Sequence, residues 1–341
     1  MTAETALDST FGEYGSDRHG LVWAYRFHDG NSASQIGAEE VASRLRTPDG
    51  DSFYWLHFSL ANTATERWLR QFAELPDAFY DAIRETAGPT RVERDGDALV
   101  AVINDVLFDF QYEATDISSL ALAVLPGVMI SARIKPLRSI DRLRESVRTG
   151  TVARSPAALL AQLLENQAGV LTEIVRRTNH DVDSIEDKVL VSRVGGNRAR
   201  LSALRRLLVR LQRLLAPEPA ALFRLLNRPP LWITEEDRAD LRRAAEEFSV
   251  AVADCSTLVE RAKLVQEELA AIVNEQTNRS LFLLTFVTVI FLPFNVVGSL
   301  FGMNVGGIPF AESGVGFWVI IFLVTIAAFA LARVLLRQFR R

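Results

Sequence analysis

SLFLLTFVTVIFLPFNVVGSLFGMNVGGIPFA, residues 280–311, holds no charged side chain, and after Glu312 none returns in SGVGFWVIIFLVTIAAFALA, residues 313–332. About 20 apolar residues carry a helix across a bilayer, so each stretch is long enough for one span. The pattern predicts a first transmembrane helix over 280–304, a loop over 305–314, a second transmembrane helix over 315–336 and a basic tail at 337–341.

Flanking charge gives the expected orientation. Arg333, Arg337, Arg340 and Arg341 follow the second span, and Arg261, Lys263 and Arg279 precede the first, whereas the loop holds no Lys or Arg and one acid, Glu312. The positive-inside rule then puts both termini in the cytoplasm, in a multi-pass protein of the inner or plasma membrane. The first twenty residues carry Glu4, Asp8, Glu13 and Asp17 without an apolar core, so no cleaved signal peptide is expected.

Composition excludes several classes. A net charge of -4 over 341 residues argues against a nucleic-acid partner. The single cysteine, Cys255, leaves no intrachain disulfide framework and reads as a small packing residue of a helix. His19, His28, His57 and His180 lack ligand spacing, so neither a dedicated metal site nor a cofactor is expected. Without a phosphate-binding glycine loop, a nucleophile elbow or another catalytic constellation, the chain does not read as an enzyme.

Ahead of the spans the pattern changes once. Residues 1–150 read as a cytoplasmic α/β domain: Leu21–Phe27, Phe53–Phe58, Ala98–Phe108, Ser119–Leu125 and Val128–Arg133 are strand-like, and Pro126-Gly127 marks a hairpin between the last two. Helical patterns lie at Thr65–Glu74, Asp77–Glu85 and Ile140–Arg148. Residues 151–279 read as a helical stalk. A first helix carries Leu160, Leu164, Gln167, Leu171, Ile174, Thr178, Val182, Ile185 and Val189 and breaks at Gly195-Gly196-Asn197. A second, with Leu201, Leu204, Leu208, Leu211 and Leu215, pairs antiparallel with it and stops near Pro217 and Pro219. Its Arg198, Arg200, Arg205, Arg206, Arg210 and Arg213 read either as a polyanion site or as a solvated face paired with Asp181, Asp183, Glu186 and Asp187. A third helix is capped at Thr234 and meets no strong breaker before Pro293. Its stripe of Leu241, Ala245, Phe248, Val252, Cys255, Val259 and Ala262 needs partners, because so long a helix is not stable alone.

Alternating steps of four and three from the base of the first span select Asn274, Asn278, Leu281, Thr285, Thr288, Leu292, Asn295, Ser299 and Gly302. One face thus gathers most of the polar and small residues of an otherwise Phe/Leu/Val/Ile segment. Polar groups are costly in lipid, so this face should turn away from the acyl chains, and a ring of copies would enclose water. Back-bonding to the helix or packing on a neighbour stays open for Thr285, Thr288 and Ser299, whereas the amides of Asn278 and Asn295 require several partners. Glu267, in step with the stripe below Asn274, reads as an inner carboxylate ring or a solvated position.

Pro293 followed by Gly302-Met303-Asn304, at the end of the first of two C-terminal spans, resembles the CorA-type family of divalent cation transporters, whose signature is Gly-Met-Asn. The run through Val305-Gly306-Gly307-Ile308-Pro309 resembles its ZntB-like branch of zinc transporters. The resemblance implies a funnel-shaped homopentamer with the first span lining the pore and the second forming an outer ring. It implies an Asn304 ring at the outer mouth, a lower polar position at Asn295, an apolar constriction at Leu292, Leu284 and Leu281, and an inner polar ring at Asn278. The magnesium branch often has an acidic loop after the motif, but here Val305–Ile308 is neutral and Glu312 alone can attract cations, which fits zinc better. Amide oxygens accept hydrogen bonds from the waters of a hydrated dication without trapping it. The resemblance to the ZntB-like branch makes Zn2+ the expected cargo. Proton coupling, associated with ZntB-like proteins, finds no acid or histidine inside either span. The alternatives are a Mg2+, Co2+ or Ni2+ channel of the same build and a membrane-anchored structural or sensor protein.

Overall fold

Ala98–Val106 (β5) is buried at every position, the mark of a strand covered on both faces. It lies in a seven-stranded sheet of order β2-β1-β3-β7-β6-β5-β4. The other strands are Leu21–His28 (β1), Ser34–Gln35 (β2), Ser52–Ser59 (β3), Arg91–Asp95 (β4), Ile117–Leu125 (β6) and Val128–Arg133 (β7). β3 and β7 pair in parallel, and the remaining neighbours are antiparallel. This computed structural model describes residues 15–28, 33–46, 52–84, 90–113, 115–190, 197–303 and 314–339. The described chain forms two compact units, divided between Gln266 and Glu267.

Alternate side chains of the strands serve two cores. On one face Leu56, Phe58, Val100, Val102, Ala121 and Ile130 meet Val41 of Ala38–Arg46 (α1), Trp68 and Leu69 of Ala64–Phe72 (α2) and Phe79 of Asp77–Arg84 (α3). On the other, Trp55, Leu99, Ile103, Leu120 and Leu122 meet Ile140 and Leu143 of Arg138–Arg148 (α4) and Leu160 and Leu164 of Pro156–Leu190 (α5). Leu222 and Leu226 of Pro217–Asn227 (α7) and Leu241 of Glu235–Phe301 (α8) join that second core. The five strands and three helices expected within residues 21–148 are present, and β2, β4 and α1 are additional.

Turn chemistry follows the sequence. Leu125 pairs with Val128 across Pro126-Gly127, and Gly127 takes the positive φ of 80° that a proline-glycine turn requires. Gly20 has φ 86°, and a Cβ there would lie 1.9 Å from Thr65 Oγ1, which donates to the Ser59 carbonyl at 2.7 Å. Gly20→Ala is expected to destabilise the α/β unit by on the order of 2 kcal/mol or more, through clash and backbone strain together. A thermal melt indistinguishable from wild type would contradict this.

The helical region is more elaborate than expected. Asn197–Leu215 (α6) runs antiparallel to α5: Ile174 and Leu211 line one small cavity, and Arg200 reaches Asp181 at 2.7 Å. The break at Gly195-Gly196 lies outside the described residues. α6 ends at Leu215, just before Pro217 as expected, and Pro217 and Pro219 then begin α7, because the first turn of a helix has no use for their missing N–H groups. At the start of α8 the expected cap is present: Asp237 N donates to Thr234 Oγ1 at 3.1 Å, and Thr234 Oγ1 donates to Asp237 Oδ2 at 2.9 Å. Ser155 caps α5 by accepting from Ala158 N at 2.9 Å and donates to Asp237 at 2.7 Å, tying the two helix starts together. The predicted stripe of α8 is covered, with Leu241, Ala245, Phe248 and Ala262 fully buried. Cys255 is buried too, its Sγ 3.8 Å from the Leu208 carbonyl, and burial pushes its thiol up to about 11.

Candidate functional site

From Glu267 to Phe301, α8 is one unbroken helix that passes through Pro293. Proline removes one backbone donor, which leaves the carbonyl four residues back, on Val289, without its helical partner. Among the described residues α8 is the helix long and apolar enough to cross a membrane. Gly316–Phe339 (α9) holds a shorter apolar run, Trp318–Val334. Both are apolar toward the outside: Leu284 is 65% exposed, Phe291 59% and Trp318 69%. Water is a poor solvent for such surfaces, so they require lipid or further copies of the chain.

The two helices touch on one side only. Phe294, Val297, Gly298 and Phe301 of α8 and Ile320, Ile321 and Val324 of α9 enclose a cavity of about 100 Å3. Every stripe residue lies off that contact: Glu267, Asn274, Asn278, Leu281, Thr285, Thr288, Leu292, Asn295, Ser299 and Gly302 are exposed, as are Leu284 and Met303. The four-and-three spacing therefore keeps polar groups on a face that α9 leaves open. Thr288 donates to the Leu284 carbonyl at 2.9 Å, the local back-bond open to a helical threonine. Asn274, Asn278, Thr285, Asn295 and Ser299 have no hydrogen-bonding side-chain partner among the described residues. An unpartnered carboxamide in hydrocarbon costs several kcal/mol, of order 4–8 by the harshest reference, so these groups call for water or for one another. Asn304, Gly306, Gly307 and Glu312 lie outside the described residues.

Polar chemistry that no local pattern announced sits in the α/β unit. Glu218, fully buried on α7, accepts from Thr90 Oγ1 and Gln167 Nε2, each at 3.2 Å. Its Oε1 and the Gln167 Oε1 have no partner among the described residues. Burial, and secondarily the Asp105 charge, pushes Glu218 up to about 8 against the pull of those hydrogen bonds. Asp105, raised to about 6 by burial, accepts from Ser139 N at 2.7 Å and Ser139 Oγ at 2.8 Å and so caps α4. His57 is enclosed by Trp23, stacked at 4.0 Å, and its Nε2 accepts from Arg133 Nε at 2.9 Å. The proton therefore sits on Nδ1, which donates to Ser131 Oγ at 2.8 Å. Burial first, then Arg133 and Arg144, hold that imidazole neutral, with its pKa well below the usual 6.5. The sequence signal for Glu218 was an acid between two prolines at a helix start; the other members are scattered along the chain.

An α/β sheet unit runs into a very long helix that becomes apolar, and a second apolar helix follows, the build of a protein set against a membrane. The family model described as CorA-like Mg2+ transporter protein matches residues 50–338. The chain belongs to that family and is a divalent cation transporter. It is 22% identical over 307 residues to the zinc transport protein ZntB of Pectobacterium carotovorum subsp. carotovorum (strain PC1), covering 90% of this chain and 92% of that protein. The divalent cation transporter CmaX of Pseudomonas aeruginosa is 25% identical over 310 residues, 90% of this chain and 93% of CmaX. The structure of full-length CmaX superposes with a TM-score of 0.78 at 24% identity, covering 96% of this chain and 99% of that one.

Proposed function

We propose that this chain forms a homopentamer in the cell's inner or plasma membrane, with both termini cytoplasmic, and moves Zn2+ through an axial pore lined by the open face of α8. The observation that carries the reading is the row of unpartnered Asn, Thr and Ser side chains on the side of α8 away from α9. Five copies facing inward supply those groups with water and with one another, while the apolar remainder meets α9 and lipid. In this reading Asn304, Gly302 and Met303 form the outer mouth, with Gly306, Gly307 and Glu312 in the loop above it. Ser299, Asn295, Thr288 and Thr285 interrupt an apolar constriction of Leu292, Leu284 and Leu281. Asn278, Asn274 and Glu267 line the inner end. The proposed limits are residues 280–304 and 315–336 for the spans, 1–150 for the α/β domain and 151–279 for the stalk.

Zinc is favoured by the neutral Val305–Ile308 after the motif and by the ZntB relatives. Magnesium is the second reading, because the family description names it. Zn2+ uptake into liposomes, with Mg2+, Co2+ and Ni2+ as competitors, separates the two: Zn2+ is expected to be displaced least. Asn304→Ala is expected to reduce uptake at least several-fold, and undiminished uptake would remove its selecting role.

A further inference from the structure

The arginine run of α6 has a different fate from simple pairing with the acids of α5. Among the described residues Arg200 alone reaches one of them, Asp181; Asp183 and Glu186 pair with Arg261 of α8, each at 2.6 Å. Of the other five, Arg205, Arg206, Arg210 and Arg213 line an open cavity of about 570 Å3 with Ser202, Val209 and Gln266. None of the four has a carboxylate partner among the described residues. Arg205 is held by a neutral group, donating to Gln266 Oε1 at 2.8 Å, while Gln266 Nε2 donates to Ser202 Oγ at 3.4 Å. The Nε of Arg210 is buried without an acceptor among the described residues, so that N–H is left without an oxygen. Val209, 42% exposed, lies between the cations in place of a compensating acid.

We propose that this face of α6 is a binding site for a multiply charged phosphate ligand. Four like charges on one helical face repel one another, and nothing among the described residues offsets them. From Arg205 to Arg213 the row spans about 12 Å at 1.5 Å per residue, so one monoanion would occupy only one fork of it. A chain of phosphates offers several charges along that length, and its oxygens match the paired N–H donors of guanidinium. Headgroup phosphates of anionic lipids carry the same chemistry, and so do soluble polyphosphates.

The test uses the full-length protein in nanodiscs of zwitterionic lipid, titrated calorimetrically with sodium tripolyphosphate in metal-free buffer. Saturable binding is expected, weakening as salt rises. It should fall at least tenfold in R206Q/R210Q and stay unchanged in R198Q, which alters an arginine outside the cavity. Oligomer mass and melting temperature should be alike in all three. Binding that persists in nanodiscs containing anionic phospholipid assigns the site to soluble phosphates, and binding that those lipids compete away assigns it to headgroups; either supports the proposal. No saturable binding by the wild type, or equal binding by R206Q/R210Q, overturns it. So does a change of oligomer mass in that variant, which would make the patch a contact with acids of a neighbouring subunit.

Discussion

Glu218→Gln is expected to flatten the pH dependence of thermal unfolding between about pH 5 and 8, and to leave the protein more stable than wild type at the alkaline end. The carboxyl is fully buried and raised from 4.5 to about 8. Below pH 4.5 it is protonated in both the folded and the unfolded chain and contributes no pH dependence. Between 4.5 and about 8 the unfolded chain releases the proton while the folded one keeps it, so stability falls by up to roughly 1.4 kcal/mol per pH unit. Above about 8 both forms are ionised and the loss is complete. An amide removes the titration yet still offers an oxygen to Thr90 and Gln167, and it adds N–H donors beside the partnerless Gln167 Oε1. His57 acts with the opposite sign: its depressed pKa means that stability is lost as pH falls below 6.5, when only the unfolded chain binds the proton. His57 is common to both proteins, so the wild-type minus variant difference isolates Glu218, apart from the Coulombic coupling to Asp105. A difference of several degrees in melting temperature at pH 8, vanishing near pH 5, is the expected outcome. Parallel curves would mean that Glu218 is already ionised in its buried site.

What the sequence made legible follows from the range of the interactions involved. Strands buried on both faces, such as Ala98–Val106, and helices with a three-and-four apolar repeat announce themselves within a few residues. Arg91–Asp95 did not, because an edge strand can be charged along its length and draw its order from pairing with β5. Pro217 was legible as the stop that ends α6, but not as the start of α7, which depends on burial of Leu222 and Leu226 in the core shared with the sheet. The Thr90–Gln167–Glu218 cluster joins three distant segments, so no local pattern marks it. On α8 the polar face was readable from spacing alone, since a helix that continues through Pro293 preserves its phase. Which side α9 covers was not readable, because that depends on how Phe294 and Val297 meet Ile320 and Ile321.

The pore reading makes its sharpest demand at Asn295. Asn295→Leu keeps the γ-branched skeleton of asparagine, adds bulk and favours the helix, but it replaces a ring of amides by hydrocarbon directly above Leu292. A hydrated dication crossing an apolar segment depends on intermittent polar contacts, and deleting one ring lengthens the dry interval on both sides. Zn2+ uptake into liposomes is expected to fall at least tenfold, the equivalent of about 1.4 kcal/mol on the barrier. Asn295→Ser, which retains a hydroxyl at the same position, should keep an intermediate rate. Leu283→Val, on the far side of the helix from Asn295, should leave uptake near wild type. Oligomer mass must stay constant across the set, because an assembly defect also lowers flux. If Asn295→Leu transports at the wild-type rate with its assembly intact, the polar face of α8 does not line the path of the ion. Its amides would then serve contacts between helices, and the cation would have to find another route.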